Sequence, residues 1–210
     1  MINTLIVHAH PYPTRSVVTR ALLESLSTLP QASVRSLYAL YPDFDIDVAA
    51  EQQALREADL IVWLTPVHWY SVPALLKHWF DQVLAHGWAY GRGGDALHGK
   101  SAWWVASAGA EPQAYTAEGM HGRAFADYAV AIEQIARYCG MHSLPHWVVH
   151  GGHHMSPQDR QLACSNLRAQ WQAHADRMGA AQASAPSTAP STAPTTAQTT
   201  AQTTAQGATP

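Results

Sequence analysis

Apolar positions along this chain come in two alternating patterns: short unbroken runs, and longer stretches with helical spacing. Thr4 to Val7 (TLIV) has no apolar–polar alternation, as in a strand buried on both faces. Ser16 precedes VVTRALLESLSTL, whose apolar residues recur at helical intervals, so Ser16 reads as the N-cap of a first helix. Ser33 to Tyr38 suits a second strand, and Ala49 to Glu57 a second helix. DLIVWLTP is a third buried strand, ended by Pro66. Pro73 opens a helix that Gly87 stops, which is the expected placing of these two residues. SAWWVASAG is a fourth strand, Arg123 to Cys139 a helix ended by Gly140, and PHWVVH a fifth strand. Ser156 heads a last helix, SPQDRQLACSNLRAQWQAHADRM.

Five buried strands alternating with helices predict an α/β three-layer sandwich around a parallel sheet. Right-handed crossovers favour strand order 2-1-3-4-5. In that order the ligand crevice lies beyond the C-terminal ends of strands 1 and 3, where they part.

Composition changes the picture at the C-terminal end. From residue 179 onward the chain is Ala, Thr, Gln, Ser, Pro and Gly, with no charge and no large apolar residue. Such a segment cannot offset its ordering entropy, so the expectation is one domain over residues 1–178 and a disordered tail over 179–210. A net charge of −3 gives no basic footprint for nucleic acid. Cys139 and Cys164 suggest neither a disulfide framework nor a zinc site. No signal peptide is read at the N-terminus, and no run approaches the roughly 18 apolar residues of a membrane span. A soluble cytoplasmic protein is expected.

Candidate chemistry sits on three loops that the predicted topology brings together: HAHPYPTRS, PVHWYSVP and SAGAEPQAYTAEGMHG. The backbone N–H groups of Val17, Val18 and Thr19, with the Ser16 and Thr19 hydroxyls, form a phosphate cradle at a helix start. For Ser16 alone an ordinary N-cap is the better explanation, and only the convergence with the other loops points to a ligand. Neither G-x-G-x-x-G nor G-x-x-x-x-G-K-[ST] is present, which leaves a dinucleotide fingerprint or a P-loop unsupported. The middle loop offers amides at Val67 to Tyr70 and the rings of Trp69 and Tyr70. These rings either tuck onto the core or hold something flat. A flat heteroaromatic ring with a phosphate tail, such as flavin mononucleotide (FMN), would use both loops.

The segments AHPYP…S, YPDFDID, ADLIVWLTPVHWYSVPALLKHWFDQV, HGWAYGRGG and ALHGK, taken in order, resemble the flavodoxin-like NAD(P)H:quinone oxidoreductase family. Within it they are most similar to the ancillary subunits of glutathione-regulated potassium-efflux systems. The resemblance covers about residues 4 to 178. It implies FMN as cofactor, NAD(P)H as hydride donor, a quinone as acceptor and a homodimer. It also implies a role activating a potassium–proton antiporter at the inner membrane. By the same resemblance His10 falls near the flavin phosphate, and Ser16, Val17, Val18 and Thr19 fall on the phosphate loop. Pro66, Val67, His68, Trp69 and Tyr70 fall on the loop that holds the flavin ring. The loop that usually reads Thr-Thr-Gly-Gly is here Ser107, Ala108, Gly109 and Ala110, which exchanges a hydroxyl for a methyl beside the flavin edge. Tyr115 and His121 keep the family's spacing for the pair that stabilises charge on the reduced flavin. Two alternatives of other classes stand beside this: a purely regulatory antiporter-binding subunit, and a flavin-binding module with little turnover.

Other motifs carry less. His142, His146, His150, His153 and His154 crowd one region, yet no Cys or acidic cluster completes a metal site. GRGGDALHG reads as a mobile connection near the substrate site, with Trp88 and Tyr90 at the pocket mouth. Asp43, Asp45 and Asp47 alternate without the Gly and closing Glu of a calcium loop.

Overall fold

The structure, a computed structural model, describes residues 1–184. Its strands are β1 (Thr4–His8), β2 (Ala32–Ser36), β3 (Leu60–Pro66), β4 (Ser101–Ser107), β5 (His142–Ser143) and β6 (Trp147–Val149). Its helices are α1 (Val18–Ser27), the short α2 (Leu37–Leu40), α3 (Val48–Glu57), α4 (Ala74–Val83), α5 (Phe125–Tyr138) and α6 (Pro157–Ser184). All strand pairs are parallel, in the order β2-β1-β3-β4-β5, with β6 also on β4.

The expected flavodoxin-like order is therefore present, but the fifth position is filled by two short strands. Ser101 pairs with His142, whereas Val105 pairs with Trp147, so Leu144, Pro145 and His146 stand opposite only Trp103 and Trp104. This is a bulge of one residue. Pro145 has no N–H for the ladder, and its carbonyl instead accepts from Trp103 Nε1 at 3.0 Å. The predicted second strand also ends early: at Leu37 the chain winds into α2, which buries Leu37 and brings the Tyr38 hydroxyl to the Leu75 N–H at 3.3 Å.

Side chains alternate across the sheet into two cores. Leu5, Val7, Ile61, Trp63 and Trp104 pack with α3, α4 and α5 on one face. Ile6, Leu60, Val62, Leu64, Trp103 and Val105 pack with α1 and α6 on the other. Helix starts follow their caps. Asp47 Oδ1 accepts from Ala50 N–H at 3.0 Å, and Ser156 Oγ accepts from Asp159 N–H at 3.1 Å. The last helix runs past the predicted domain boundary at residue 178. Gly179 does not stop it, because one glycine costs a helix only about 1 kcal/mol and alanines follow. The rest of the expected tail, residues 185–210, lies outside the described residues.

One charge sits inside the α3–α4 core. Glu51 is fully buried and accepts from Arg35 (2.5 Å and 2.9 Å), the Tyr41 hydroxyl (2.6 Å) and Trp79 Nε1 (3.0 Å). Four hydrogen bonds, two of them from a guanidinium, compensate the burial of this carboxylate.

Candidate active site

At the C-terminal end of the sheet a cleft of about 410 Å³ opens between the loops after β1, β3, β4 and β6. That volume lies within the roughly 300–1,000 Å³ of small-molecule sites. His10, Ser16, Val17, Val18, Thr19, Pro66, Val67, His68, Ser107, Ala108 and Gly109 all line it, as the sequence led us to expect. Two other hollows, of about 680 and 470 Å³, lie at the opposite end of the sheet and gather no comparable chemistry.

The start of α1 supplies donors. Val17, Val18 and Thr19 lie at its first turn, and no backbone carbonyl among the described residues accepts from their N–H groups. The hydroxyls expected beside them are engaged elsewhere. Thr19 Oγ1 is buried and bonded to Ser107 Oγ at 2.8 Å, tying α1 to the end of β4. Ser16 is buried too, and its Oγ accepts from Arg20 N–H at 3.2 Å; the N-cap position itself is Val17. Anion binding at this helix start therefore rests on backbone N–H groups.

The β3 loop contains a two-residue hairpin turn. His68 and Ser71 exchange both backbone hydrogen bonds at 3.0 Å around Trp69 and Tyr70, whose φ angles are +48° and +64°. This mirror-image turn normally takes Asn-Gly. Bulky residues there store strain on the order of 1–3 kcal/mol each. The two rings fare differently. Tyr70 stacks on Tyr128 with centroids 5.0 Å apart and meets His121 Nδ1 through its hydroxyl at 3.4 Å. Trp69 is 93% exposed.

Trp69, Tyr70, Ala110, Tyr115 and His121 do not line the cleft itself; the last two form a separate aromatic group on the β4 loop. The rings of Tyr115 and His121 are 4.4 Å apart, flanked by Phe125, Tyr128 and His150. His121 N–H donates to the Ala114 carbonyl at 3.0 Å, closing the loop between them. His121 Nε2 is buried with no hydrogen-bond partner among the described residues, as is Nδ1 of the nearby His150. Burial, with Tyr128 and Tyr70 nearby, raises the Tyr115 pKa, so its hydroxyl keeps its proton at neutral pH. The Tyr70–His121 contact links the β3 and β4 loops.

Four cleft residues were not singled out by sequence: Tyr12, Arg15, Gly152 and His153. The loop after β6 is pinned by Gly151 N–H to the Ala110 carbonyl (2.9 Å) and Gly152 N–H to the Ala108 carbonyl (3.0 Å). His153 then packs against Gly109 so closely that a Cβ there would meet its Nε2 at 2.2 Å. No group of three or more metal-ligating side chains occurs among the described residues. No helix among them is long and apolar enough to cross a membrane.

Unpaired N–H groups at a helix start, a cleft between four loops and an orphaned imidazole nitrogen beside it suit a planar ring with a phosphate tail. Comparison with known proteins agrees in kind. The chain is 51% identical over 146 residues to the glutathione-regulated potassium-efflux system ancillary protein KefF of Salmonella arizonae, covering 70% of this chain and 82% of that one. Among solved structures, a thermophilic tryptophan halogenase from Streptomycin violaceusniger superposes with TM-score 0.76 at 37% identity, over 78% of this chain and 95% of that one. General stress protein 14 of Treponema denticola, in complex with FMN, gives TM-score 0.74 at 36% identity, over 84% and 99%. An NADPH-quinone reductase from P. pentosaceus gives 0.72 at 29% identity, over 79% and 95%. The model of the flavodoxin-like fold family matches residues 2–175, and the chain belongs to that family.

Proposed function

We infer that this chain is an FMN-dependent NAD(P)H:quinone oxidoreductase, acting as a homodimer, and that it also serves as an ancillary subunit of a potassium-efflux antiporter. The observation that carries the oxidoreductase reading is the joining, by Tyr70, of two sites. One is a cleft with free N–H donors at Val17 to Thr19; the other is a half-buried Tyr115–His121 pair with an unpartnered imidazole nitrogen. Similarity to an FMN-bound protein and to an NADPH-quinone reductase supports it.

In this reading the first turn of α1 holds the phosphate of the cofactor, with His10 beside it. Within Val67 to Tyr70 and Ser107 to Ala110, the N–H groups of Val67, His68 and Ala108 are used inside the chain. Those of Trp69, Tyr70, Gly109 and Ala110, from which no backbone carbonyl among the described residues accepts, hold the ring edges. The flavin supplies hydride chemistry between a nicotinamide and a quinone. Tyr115 contributes a hydroxyl that stays protonated, and His121 Nε2 holds or releases a proton where negative charge develops. The antiporter role rests on the 51% identity to an ancillary protein of a potassium-efflux system. Co-purification of the chain with such a transporter tests it separately.

The direct test is an absorbance spectrum of the purified protein, followed by anaerobic NADPH and then a quinone. A flavin band that bleaches and returns is the expected result. Absence of flavin even after adding FMN overturns the reading. Tyr115→Phe with His121→Ala should leave FMN bound and slow its bleaching by roughly 10²–10⁴-fold, the usual worth of positioned acid–base groups.

A further inference from the structure

A second, smaller pocket of about 180 Å³ lies behind the cleft, between α1 and the end of β2, and shares only His10 and Ser16 with the cleft lining. His8 enters it from β1, where Thr4, Ile6 and His8 alternate to the face that α1 and α6 cover. His8 is 6% exposed. Its Nδ1 lies 3.3 Å from Ser36 Oγ, but its Nε2 is buried with no hydrogen-bond partner among the described residues. Two other hydroxyls of the pocket are engaged: Ser16 Oγ accepts from the Arg20 N–H, and the Tyr38 hydroxyl from the Leu75 N–H. Pro13, Leu23 and Tyr38 give the pocket apolar walls, Arg20 gives it a guanidinium, and no carboxylate lines it.

We propose that this pocket is a second ligand site, separate from the cleft, for a small organic carboxylate with an apolar body. Size sets the first limit. A water takes up about 30 Å³, so the space suits roughly six waters or one molecule of about six to ten non-hydrogen atoms, which excludes a nucleotide. The walls set the second: Pro13, Leu23 and the Tyr38 ring reward an apolar body that a bare inorganic anion lacks. Charge sets the third. Arg20 stays protonated, and its ion pair with Glu24 is 3.9 Å long between side chains that are 54% and 71% exposed, so it is weakly held and free to turn to a ligand. His8 adds no charge, since burial, followed by the nearby His10, lowers its pKa to about 4. When Ser36 Oγ donates to Nδ1, the His8 proton sits on Nε2 and is left to donate. A carboxylate brings two acceptor oxygens to the two donors this pocket leaves unmet, the His8 N–H and the Arg20 guanidinium.

The test uses the full chain as purified, near neutral pH, with binding followed by calorimetry and by the magnetic resonance of isotope-labelled histidines. Benzoate is the probe, benzamide its uncharged isostere and inorganic phosphate the bare anion. Benzoate should bind with a Kd on the order of 1 mM or tighter and shift the ring nitrogens of His8. Benzamide and phosphate should each bind at least about tenfold more weakly, for want of the charge and of the apolar body respectively. Arg20→Gln, on the helix surface, should weaken benzoate about tenfold or more, the usual worth of a charge-assisted hydrogen bond. His8→Leu should weaken it as well, whereas Gly109→Ala, a change in the cleft, should leave it as it was. No binding of benzoate would mean that the pocket holds water only, and overturns the proposal. So does equal affinity for benzamide or phosphate, a benzoate affinity that Arg20→Gln leaves unchanged, or one that Gly109→Ala reduces.

Discussion

Replacing Glu51 with alanine should be among the most damaging single changes to the fold. The carboxylate is the common acceptor for Arg35, the Tyr41 hydroxyl and Trp79 Nε1. Arg35, with a quarter of its side chain exposed, can turn to water. Trp79 and Tyr41 cannot, being 0% and 6% exposed. Each stranded buried donor costs about 1–3 kcal/mol, so the two together cost about 2–6 kcal/mol, centred near 4. For a domain of this size that is a fall in Tm of roughly 8–16 °C, at about 2–4 °C per kcal/mol. Glu51→Gln keeps the volume and one carbonyl oxygen but turns an NH2 toward donors, and should lie between. Denaturant titration of Glu51→Ala, Trp79→Phe and the double variant isolates the cause. Removing the indole N–H should hurt less once its acceptor is gone, leaving a coupling of at least about 1 kcal/mol. A loss under about 1 kcal/mol for Glu51→Ala, or simple additivity, would refute the argument.

Three further outcomes are expected. His8 is buried, and burial followed by the nearby His10 lowers its pKa to about 4 from the usual 6.5. The unfolded chain therefore takes up a proton that the native state refuses. Stability from this residue is whole above pH 6.5 and is lost as pH falls toward 4, by up to about 3 kcal/mol. Denaturation curves across that window should be steeper in pH for the wild type than for His8→Leu, and parallel curves would contradict the assignment. Gly109→Ala should change stability by less than about 1 kcal/mol, because exposed His153 can swing away, yet it should weaken FMN binding; unaltered FMN affinity would count against the cleft as the site. Trp69→Gly should raise stability by about 1 kcal/mol by relieving a left-handed tryptophan that packs on nothing, while flavin affinity falls. A clear loss of stability would mean the ring is covered in solution.

Strand order was readable because buried parallel strands are short and uniformly apolar, so Thr4–Val7, Leu60–Pro66 and Ser101–Ser107 stood out from helical segments. The split fifth position was not, since Pro145 reads equally as the start of one strand or the break between two. The site was legible at the level of loops. Chain topology alone places the β1, β3 and β4 loops on one crevice, and eleven of the expected residues line it. Side-chain direction was not legible: a hydroxyl near a helix start can face a ligand or bond within the chain, and those of Thr19 and Ser16 bond Ser107 Oγ and the Arg20 N–H. His153 was passed over within a crowd of histidines. The signal lay just before it: Gly151 and Gly152 follow one residue after the end of β6, at the same end of the sheet as the other cleft loops.

The turn at Trp69 and Tyr70 bears most directly on what the cleft is for. Two bulky residues occupy left-handed positions that glycine or asparagine would fill at less strain, so the placement needs an offsetting gain. For Tyr70 the gain is within the chain: the Tyr128 stack and the His121 contact hold it, and it in turn joins the β3 loop to the Tyr115–His121 loop. For Trp69 there is none, because the ring touches almost nothing and a smaller residue would serve the fold better. A tryptophan turned outward by the hairpin, one residue from the cleft lining at His68, is explained by what it meets outside the chain. The two candidates, a flat ligand and a second copy, separate by concentration. Quenching of Trp69 fluorescence that follows flavin occupancy points to the first, and quenching that follows protein concentration without flavin points to the second.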